Sequence, residues 1–227
     1  MSNVITLERQ ILKKNDEIAA ENRQVFQNNN IFALNLLSSP GSGKTSILEK
    51  TIEKLNKNYR IAVIEGDVQT DLDARRILKY KIPVIQIITK GGCHLEASLI
   101  QNALGNLSLN SLDFVVIENV GNLVCPSNYD LGEKYKVVLV STTEGDDKPL
   151  KYPNMFRVSN VLIINKTDLL PFVDFNMAEV KKNALSINPN LKIFETSSKT
   201  GDGIDSWISW LKKEISSIIK KNNMEYL

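Results

Sequence analysis

Apolar residues in this chain gather in short runs, and the stretches between the runs carry helical spacing. The first run, Ile31-Phe32-Ala33-Leu34-Asn35-Leu36-Leu37, reads as a buried strand. Further runs at residues 60–65, 83–88, 112–117, 136–140, 160–164 and 191–194 are rich in Val and Ile. Such near-continuous apolar content fits parallel strands covered on both faces. Helical spacing falls between them at residues 46–55, 71–78, 94–104 and 177–185. A last helix is expected over residues 204–219, with Trp207, Trp210, Leu211 and Ile215 on its apolar face. The pattern predicts an α/β fold: a mostly parallel central sheet flanked by helices on both faces. In such a fold, ligand loops lie beyond the carboxyl ends of the strands.

Residues 1–30 stand apart as an amphipathic helical extension to the α/β domain of residues 31–227. Val4, Ile11, Ile18 and Val25 recur at sevenfold spacing, with Leu7, Leu12 and Phe26 beside them. That stripe predicts one helix packing on the domain or on another chain, ended by Gln27-Asn28-Asn29-Asn30.

Composition narrows the function. A chain of 227 residues suffices for one domain that buries roughly 70% of its unfolded surface. A net charge of +2 and no basic stripe with interleaved aromatics argue against nucleic acid. No apolar run approaches the ~18 residues of a membrane span, and the polar N-terminus does not read as a signal peptide. Two cysteines without such a signal imply a reducing compartment, so the expected location is cytoplasmic.

Between the first strand and the helix after it lies Ser38-Ser39-Pro40-Gly41-Ser42-Gly43-Lys44-Thr45. Strand, glycine-rich turn and helix N-terminus together make an anion site, where free N–H groups and the helix dipole converge. Pro40, Gly41, Ser42, Gly43, Lys44, Thr45 and Ser46 are the expected phosphate contacts. Lys44 would reach the terminal phosphates and the Thr45 hydroxyl would take one position on Mg²⁺. The usual pattern opens with Gly seven residues before Thr45, and Ser38 stands there instead.

Asn165-Lys166-Thr167-Asp168 follows a later strand. A carboxylate at Asp168 accepts from guanine N1–H and its 2-amino group, whereas adenine would leave that charge unpaired. Lys166 would lie along the base and Asn165 would tie the loops together. Ser197-Ser198-Lys199, after the next strand, resembles the guanine-facing S-A-K element of GTPases. GTP and GDP are therefore the expected ligands, with ATP, as in a small-molecule kinase, the distant alternative. For the cation end, Asp67 in Glu65-Gly66-Asp67 is the first choice for Mg²⁺, with Asp71 and Asp73 behind it. Glu118-Asn119-Val120-Gly121 takes the place of a D-x-x-G switch, leaving Gly121 to meet a γ-phosphate. Lys44, Thr45, Asp67, Glu118 and Gly121 thus form the expected catalytic group. Without an evident water-positioning Gln, the expected hydrolysis is slow, about 10⁻⁴ to 10⁻² s⁻¹.

Cys93 and His94 are adjacent, at the expected start of a helix, and Cys125 lies four residues past Gly121. A lone cysteine or histidine is more often structural than a ligand. Here, however, every thiol and imidazole in the chain falls in two loops beyond strand ends. Thiolate and imidazole suit Zn²⁺ or Ni²⁺. Three donors leave an open position, or a site completed across a two-fold axis. A regulatory GTP switch with structural cysteines is the competing reading.

Ser38–Thr45, Cys93-His94-Leu95-Glu96-Ala97, Glu118-Asn119-Val120-Gly121-Asn122-Leu123-Val124-Cys125-Pro126 and Asn165–Asp168 together resemble the HypB family. These are nickel-inserting GTPases of [NiFe]-hydrogenase maturation, in the SIMIBI class, and the resemblance runs from about Ile31 onward. The Cys-Pro-His motif of the related urease-maturation GTPases is absent. The resemblance implies dimerisation on GTP binding and a Ni²⁺ or Zn²⁺ site of Cys93, His94 and Cys125 at the dimer interface. It also implies that Lys148 or Lys151 reaches the partner's nucleotide, and that Leu169 and Val173 make dimer contacts. Other nickel-delivery proteins and a hydrogenase large-subunit precursor are the implied partners. Some members carry an N-terminal cysteine-rich or histidine-rich tract, and this sequence contains neither.

Overall fold

The computed structural model describes residues 7–223. The chain opens on α1 (Leu7–Asn28), then runs β1 (Phe32–Ser38), α2 (Lys44–Leu55), β2 (Ile61–Asp67), α3 (Leu72–Leu78) and β3 (Val84–Ile88). It continues through α4 (Ala97–Leu104), β4 (Phe114–Glu118), β5 (Tyr135–Ser141), α5 (Lys148–Lys151), α6 (Pro153–Val158) and β6 (Val161–Asn165). It closes with α7 (Met177–Ile187), β7 (Lys192–Glu195) and α8 (Ile204–Asn223).

The strands form one seven-stranded sheet in the order β3-β2-β4-β1-β5-β6-β7, and every pair is parallel. Alternation along β1 sorts the core into layers. Phe32, Leu34 and Leu36 face Ile47, Leu48 and Ile52 of α2, together with Trp207, Leu211 and Ile215 of α8. On the opposite face, Ala33 joins Phe26 of α1 and Ile100 of α4. Leu37 joins Met155 and Phe156 of α6 and Val180 of α7. Buried Trp207 also donates its Nε1–H to Thr51 Oγ1 at 3.0 Å, which fixes α8 against α2.

The register sets the site. Leu36 pairs with Glu118, Ser38 with Leu139, and Ser141 with Asn165, so β4, β1 and β5 end in successive steps of two residues and β6 ends level with β5. Their following loops meet at the carboxyl end of the sheet.

Each predicted strand is present, most of them reaching a residue or two further toward the C-terminus. The stretch between β5 and β6 folds into α5 and α6, which apolar spacing did not announce. Helix α4 begins at Ala97, so Cys93 and His94 lie in the loop before it. The N-terminal helix forms as expected, but it packs through a different face. Asn15, Ala19, Asn22 and Phe26 are buried, whereas Ile11 is 44% exposed and Ile18 and Val25 are half-buried. Val4 lies outside the described residues. Hydrogen bonds from the two asparagines, rather than the apolar stripe, set the rotation of α1.

Candidate functional site

The turn after β1 requires glycine twice. Gly41 and Gly43 have φ of +78° and +97°, which favours a residue without Cβ. A Cβ on Gly43 would also lie 2.5 Å from Asn165 Nδ2. Asn165 is fully buried at the end of β6. It donates Nδ2 to Ser42 O at 3.0 Å and accepts Ser198 N–H at 3.1 Å on Oδ1. One side chain thus joins the phosphate loop, the Asn165–Asp168 loop and the Ser197–Lys199 loop. Lys166 Nζ donates to Gly41 O at 2.7 Å, and Ser197 Oγ donates to Asp168 Oδ1 at 2.6 Å. Ser38, where the usual pattern has Gly, is buried and accepts from Lys44 Nζ at 3.3 Å.

The phosphate loop, Lys166 and the segments after β2 and β4 wall a cavity of about 530 Å³ lined by Pro40, Gly41, Gly43, Lys44, Thr45, Ser46, Asp67, Gly121 and Lys166, among others. Asp73 and Arg76 of α3 complete its far side. Arg76 pairs with Glu49 at 2.6 Å and Asp73 at 3.2 Å. Its place in the cavity wall was not legible as a motif. Lys199 is exposed on the rim of the third loop.

Thr45 Oγ1 donates to Glu118 Oε1 at 2.7 Å. Glu118, Glu65 and Asp73 bring carboxylate oxygens within 4.8 Å of one another. Glu65 and Glu118 are register partners on adjacent strands. Each is almost wholly buried, and each has an Oε2 without a hydrogen-bond partner. Burial and the neighbouring Glu118 push the Glu65 carboxyl up to about 11, and burial raises Glu118 too. Two buried like charges side by side cannot both ionise cheaply. A divalent cation would resolve that conflict, so the donor set fits Mg²⁺. Asp67 lines the same cavity, but its Oδ1 accepts Gln69 N–H at 2.8 Å and Thr70 N–H at 2.6 Å. Burial raises Asp67, yet those amide bonds outweigh it and hold the group below the usual carboxylate range.

Lys148 sits against its own chain's phosphate loop. Its Nζ lies 3.2 Å from Ser39 Oγ and 3.5 Å from Glu144. Glu144 also accepts from Ser42 Oγ at 2.8 Å. Lys151 points elsewhere and pairs with Asp147 at 2.5 Å. Leu169 and Val173 are half-buried, and between them Phe172 is 82% exposed.

Cys93, His94 and Cys125 converge although two separate loops carry them, their donor atoms all lying within 4.8 Å of one another. Cys93 Sγ is 3.6 Å from His94 Nδ1, and both thiols are free. Asn122 Nδ2 donates to Cys93 O at 3.2 Å, bridging the two loops. The His94 ring stacks on Tyr129 with centroids 3.9 Å apart, and its Nε2 is buried without a hydrogen-bond partner. Burial lowers the His94 pKa against a smaller opposing pull from Glu96. A hydrogen bond with Cys125, and after it burial, raise the Cys93 thiol. A soft cation would replace that shared proton, so the donors fit Zn²⁺ or Ni²⁺.

Gly121 connects the two regions. A Cβ there would meet Pro40 of the phosphate loop at 3.1 Å, and Cys125 follows four residues later. Asn119, at the end of β4, accepts Leu95 N–H at 3.2 Å beside His94.

A parallel sheet with a phosphate loop after β1 and an Asn-Lys-x-Asp loop after β6 defines a P-loop nucleotide-binding domain. Residues 32–195 match the model of the CobW/HypB/UreG nucleotide-binding domain. The hydrogenase maturation factor HypB of Azotobacter vinelandii is 48% identical over 213 residues, spanning 94% of this chain and 70% of that protein. Its Escherichia coli K12 counterpart is 45% identical over 211 residues, spanning 93% and 73%. The crystal structure of HypB from Helicobacter pylori in complex with nickel superposes with a TM-score of 0.85 at 41% identity, covering 90% of this chain and 96% of that one. HypB from Archaeoglobus fulgidus gives 0.84 at 39% identity, covering 89% and 99%. The chain belongs to the HypB family of hydrogenase maturation factors.

Proposed function

We propose that this chain is a GTP-hydrolysing metallochaperone that holds Ni²⁺ or Zn²⁺ on Cys93, His94 and Cys125 and delivers nickel during [NiFe]-hydrogenase maturation. The observation that carries the reading is the common loop after β4. It begins at the buried Glu118 beside Thr45, passes Gly121 against Pro40, and ends at Cys125 in the thiol–imidazole cluster. A relative solved with nickel supports the choice of cargo.

Amides of residues 41–46 cradle the phosphates, with Lys44 on the terminal groups. Asp168, oriented by Ser197, selects guanine. Thr45, Asp67 and the cluster of Glu65, Asp73 and Glu118 are the groups that would hold Mg²⁺, which when bound would neutralise phosphate charge. Gly121 N–H meets the γ-phosphate and moves the loop that carries Cys125, so metal affinity follows nucleotide state. Three donors per chain leave a coordination position for a second subunit, and exposed Phe172 between Leu169 and Val173 adds an apolar surface for that dimer. Lys148 at the phosphate loop supplies a further cation there. Two free thiols suit a reducing, cytoplasmic setting. The hydrogenase precursor and other nickel-delivery proteins are the partners this role requires.

Replacing Cys93 with Ala tests the reading. Loss of stoichiometric Ni²⁺ or Zn²⁺ with GTP turnover retained supports delivery, and unchanged metal content rejects it. Metal affinity and molecular mass, compared between GDP and a non-hydrolysable GTP analogue, test the coupling.

A further inference from the structure

We propose that Asn15 and Asn22 of α1 are positioning residues for the metal centre, clamping its two loops together from behind. The inference rests on the metal reading above and assigns the N-terminal helix a part in it. Asn15 Oδ1 accepts Ala97 N–H at 2.8 Å, and Asn22 Nδ2 donates to Ala97 O at 2.8 Å. Both polar groups of one residue, three positions after His94, are therefore held by α1. The same two side chains grip the other loop. Asn15 Nδ2 donates to Asp130 O at 2.8 Å and Asn22 Nδ2 to Leu131 O at 3.1 Å. Asp130 follows Tyr129, whose ring stacks on His94, and the same segment carries Cys125.

Two further contacts seat the helix closely enough for the clamp to act. Arg23 pairs with Asp130 at 2.5 Å. Gly132, at φ +93°, approaches so near that a Cβ would stand 2.7 Å from Ala19 O and from Asn22 Cβ.

Asn15 is 5% exposed and Asn22 is fully buried. Burying amides there is costly, and Asn22 Oδ1 is left without a hydrogen-bond partner. An apolar residue on α1 would avoid that cost, but it would not fix Ala97 and Leu131 in space. Groups behind a metal's ligands set their orientation and hence the affinity of the site. With Asn119 holding Leu95 N–H from the sheet side and Asn122 donating to Cys93 O, the Cys93–Ala97 segment is fixed at its start and middle by the β4 loop and at its end by α1.

The test titrates full-length wild type, Asn15→Ala and Asn22→Ala with Ni²⁺ alone, in competition with a chromophoric chelator, and separately with GDP. Nickel affinity is expected to fall by about tenfold or more in each variant, with a shift in the thiolate-to-nickel absorption bands. GDP affinity stays within about twofold, because nothing in the clamp touches the phosphate or guanine loops. Glu21→Ala, which breaks the exposed bond from Gln101 Nε2 to Glu21 Oε2 between the same two helices, changes neither reading. Unaltered nickel affinity and bands in folded Asn15→Ala overturn the clamp. A parallel loss of nickel and GDP binding also overturns it, since that marks general unfolding. Should Asn22→Ala fail to fold, Asn15→Ala decides alone. A wild-type protein that takes up no Ni²⁺ rejects the metal reading itself and the clamp with it, before any substitution is made.

Discussion

Replacing Glu65 with Gln tests the buried carboxylate pair beside Thr45. Glu65 and Glu118 lie opposite each other on β2 and β4, both sealed from water. With neither cation nor nucleotide bound, the folded protein keeps a proton on Glu65 up to about pH 11, through burial first and Glu118 second. The unfolded chain releases that proton near pH 4.5. Between those limits the folded state binds more protons than the unfolded state, so Glu65 makes stability fall as pH rises. One whole proton corresponds to about 1.4 kcal/mol per pH unit, so the ceiling between pH 5 and pH 8 is ~4 kcal/mol. Gln has the same shape, carries no proton to lose, and still donates toward Glu118. Urea unfolding of the magnesium- and nucleotide-free protein at pH 5, 6.5 and 8 measures the difference. The variant should lose less stability than wild type across that range and exceed it by at least ~1 kcal/mol at pH 8. Parallel stability profiles would refute the reasoning, because they would mean that Glu65 ionises in the folded state as it does in the unfolded one.

Asp168→Asn removes the carboxylate proposed to accept from guanine, so GDP affinity should drop by ~10²-fold or more while ADP affinity stays weak; calorimetric titration with each nucleotide reads this, and an unchanged GDP affinity would reject guanine selection by Asp168. Gly43→Ala combines φ of +97° with a Cβ 2.5 Å from Asn165 Nδ2. It should cost about 1–3 kcal/mol and abolish binding of a fluorescent guanine nucleotide, and normal binding would show that the loop has room to spare. Gly132→Ala forces a Cβ to within 2.7 Å of Ala19 O, so the helix must lift, with a loss of about 1–3 kcal/mol in urea unfolding. Cys125→Ser should lower nickel stoichiometry in equilibrium dialysis without changing GDP affinity, and full nickel occupancy would exclude Cys125 as a donor.

Much of the candidate nucleotide site was legible because its groups are local. Gly41, Gly43, Lys44 and Thr45 fall within one turn, and Asn165 to Asp168 within another. The strands around them announce themselves by continuous Val and Ile. The acid cluster was harder to read. Asp67 stood out at the end of its strand, but the carboxylates that gather beside Thr45 are Glu118, Glu65 and Asp73. Glu65 and Glu118 are 53 residues apart in the chain, and only the pairing of β2 with β4 makes them neighbours. Arg76 was missed for the same reason, since nothing in its own segment marks it as facing Ser46 and Glu49.

The N-terminal helix shows the limit of periodicity most directly. Its apolar stripe predicts a packing face, yet Ile11 stays exposed while Asn15 and Asn22 are buried. Hydrophobic spacing fixes that a helix forms, but its rotation depends on what it meets. Here the partners are Ala97, Asp130 and Leu131, whose backbone groups call for polar side chains.

By itself, then, the sequence determined the α/β fold and singled out the phosphate loop, the Asn165–Asp168 loop and the three soft donors as candidates, because each rests on local spacing or on the chemistry of a few adjacent residues. The tertiary structure alone decided which carboxylates gather beside Thr45, that Cys93 and Cys125 meet, that Lys148 lies at its own phosphate loop, and that α1 grips the loops that carry the two cysteines. All four depend on strand order and helix rotation, which arise from contacts between residues far apart along the chain.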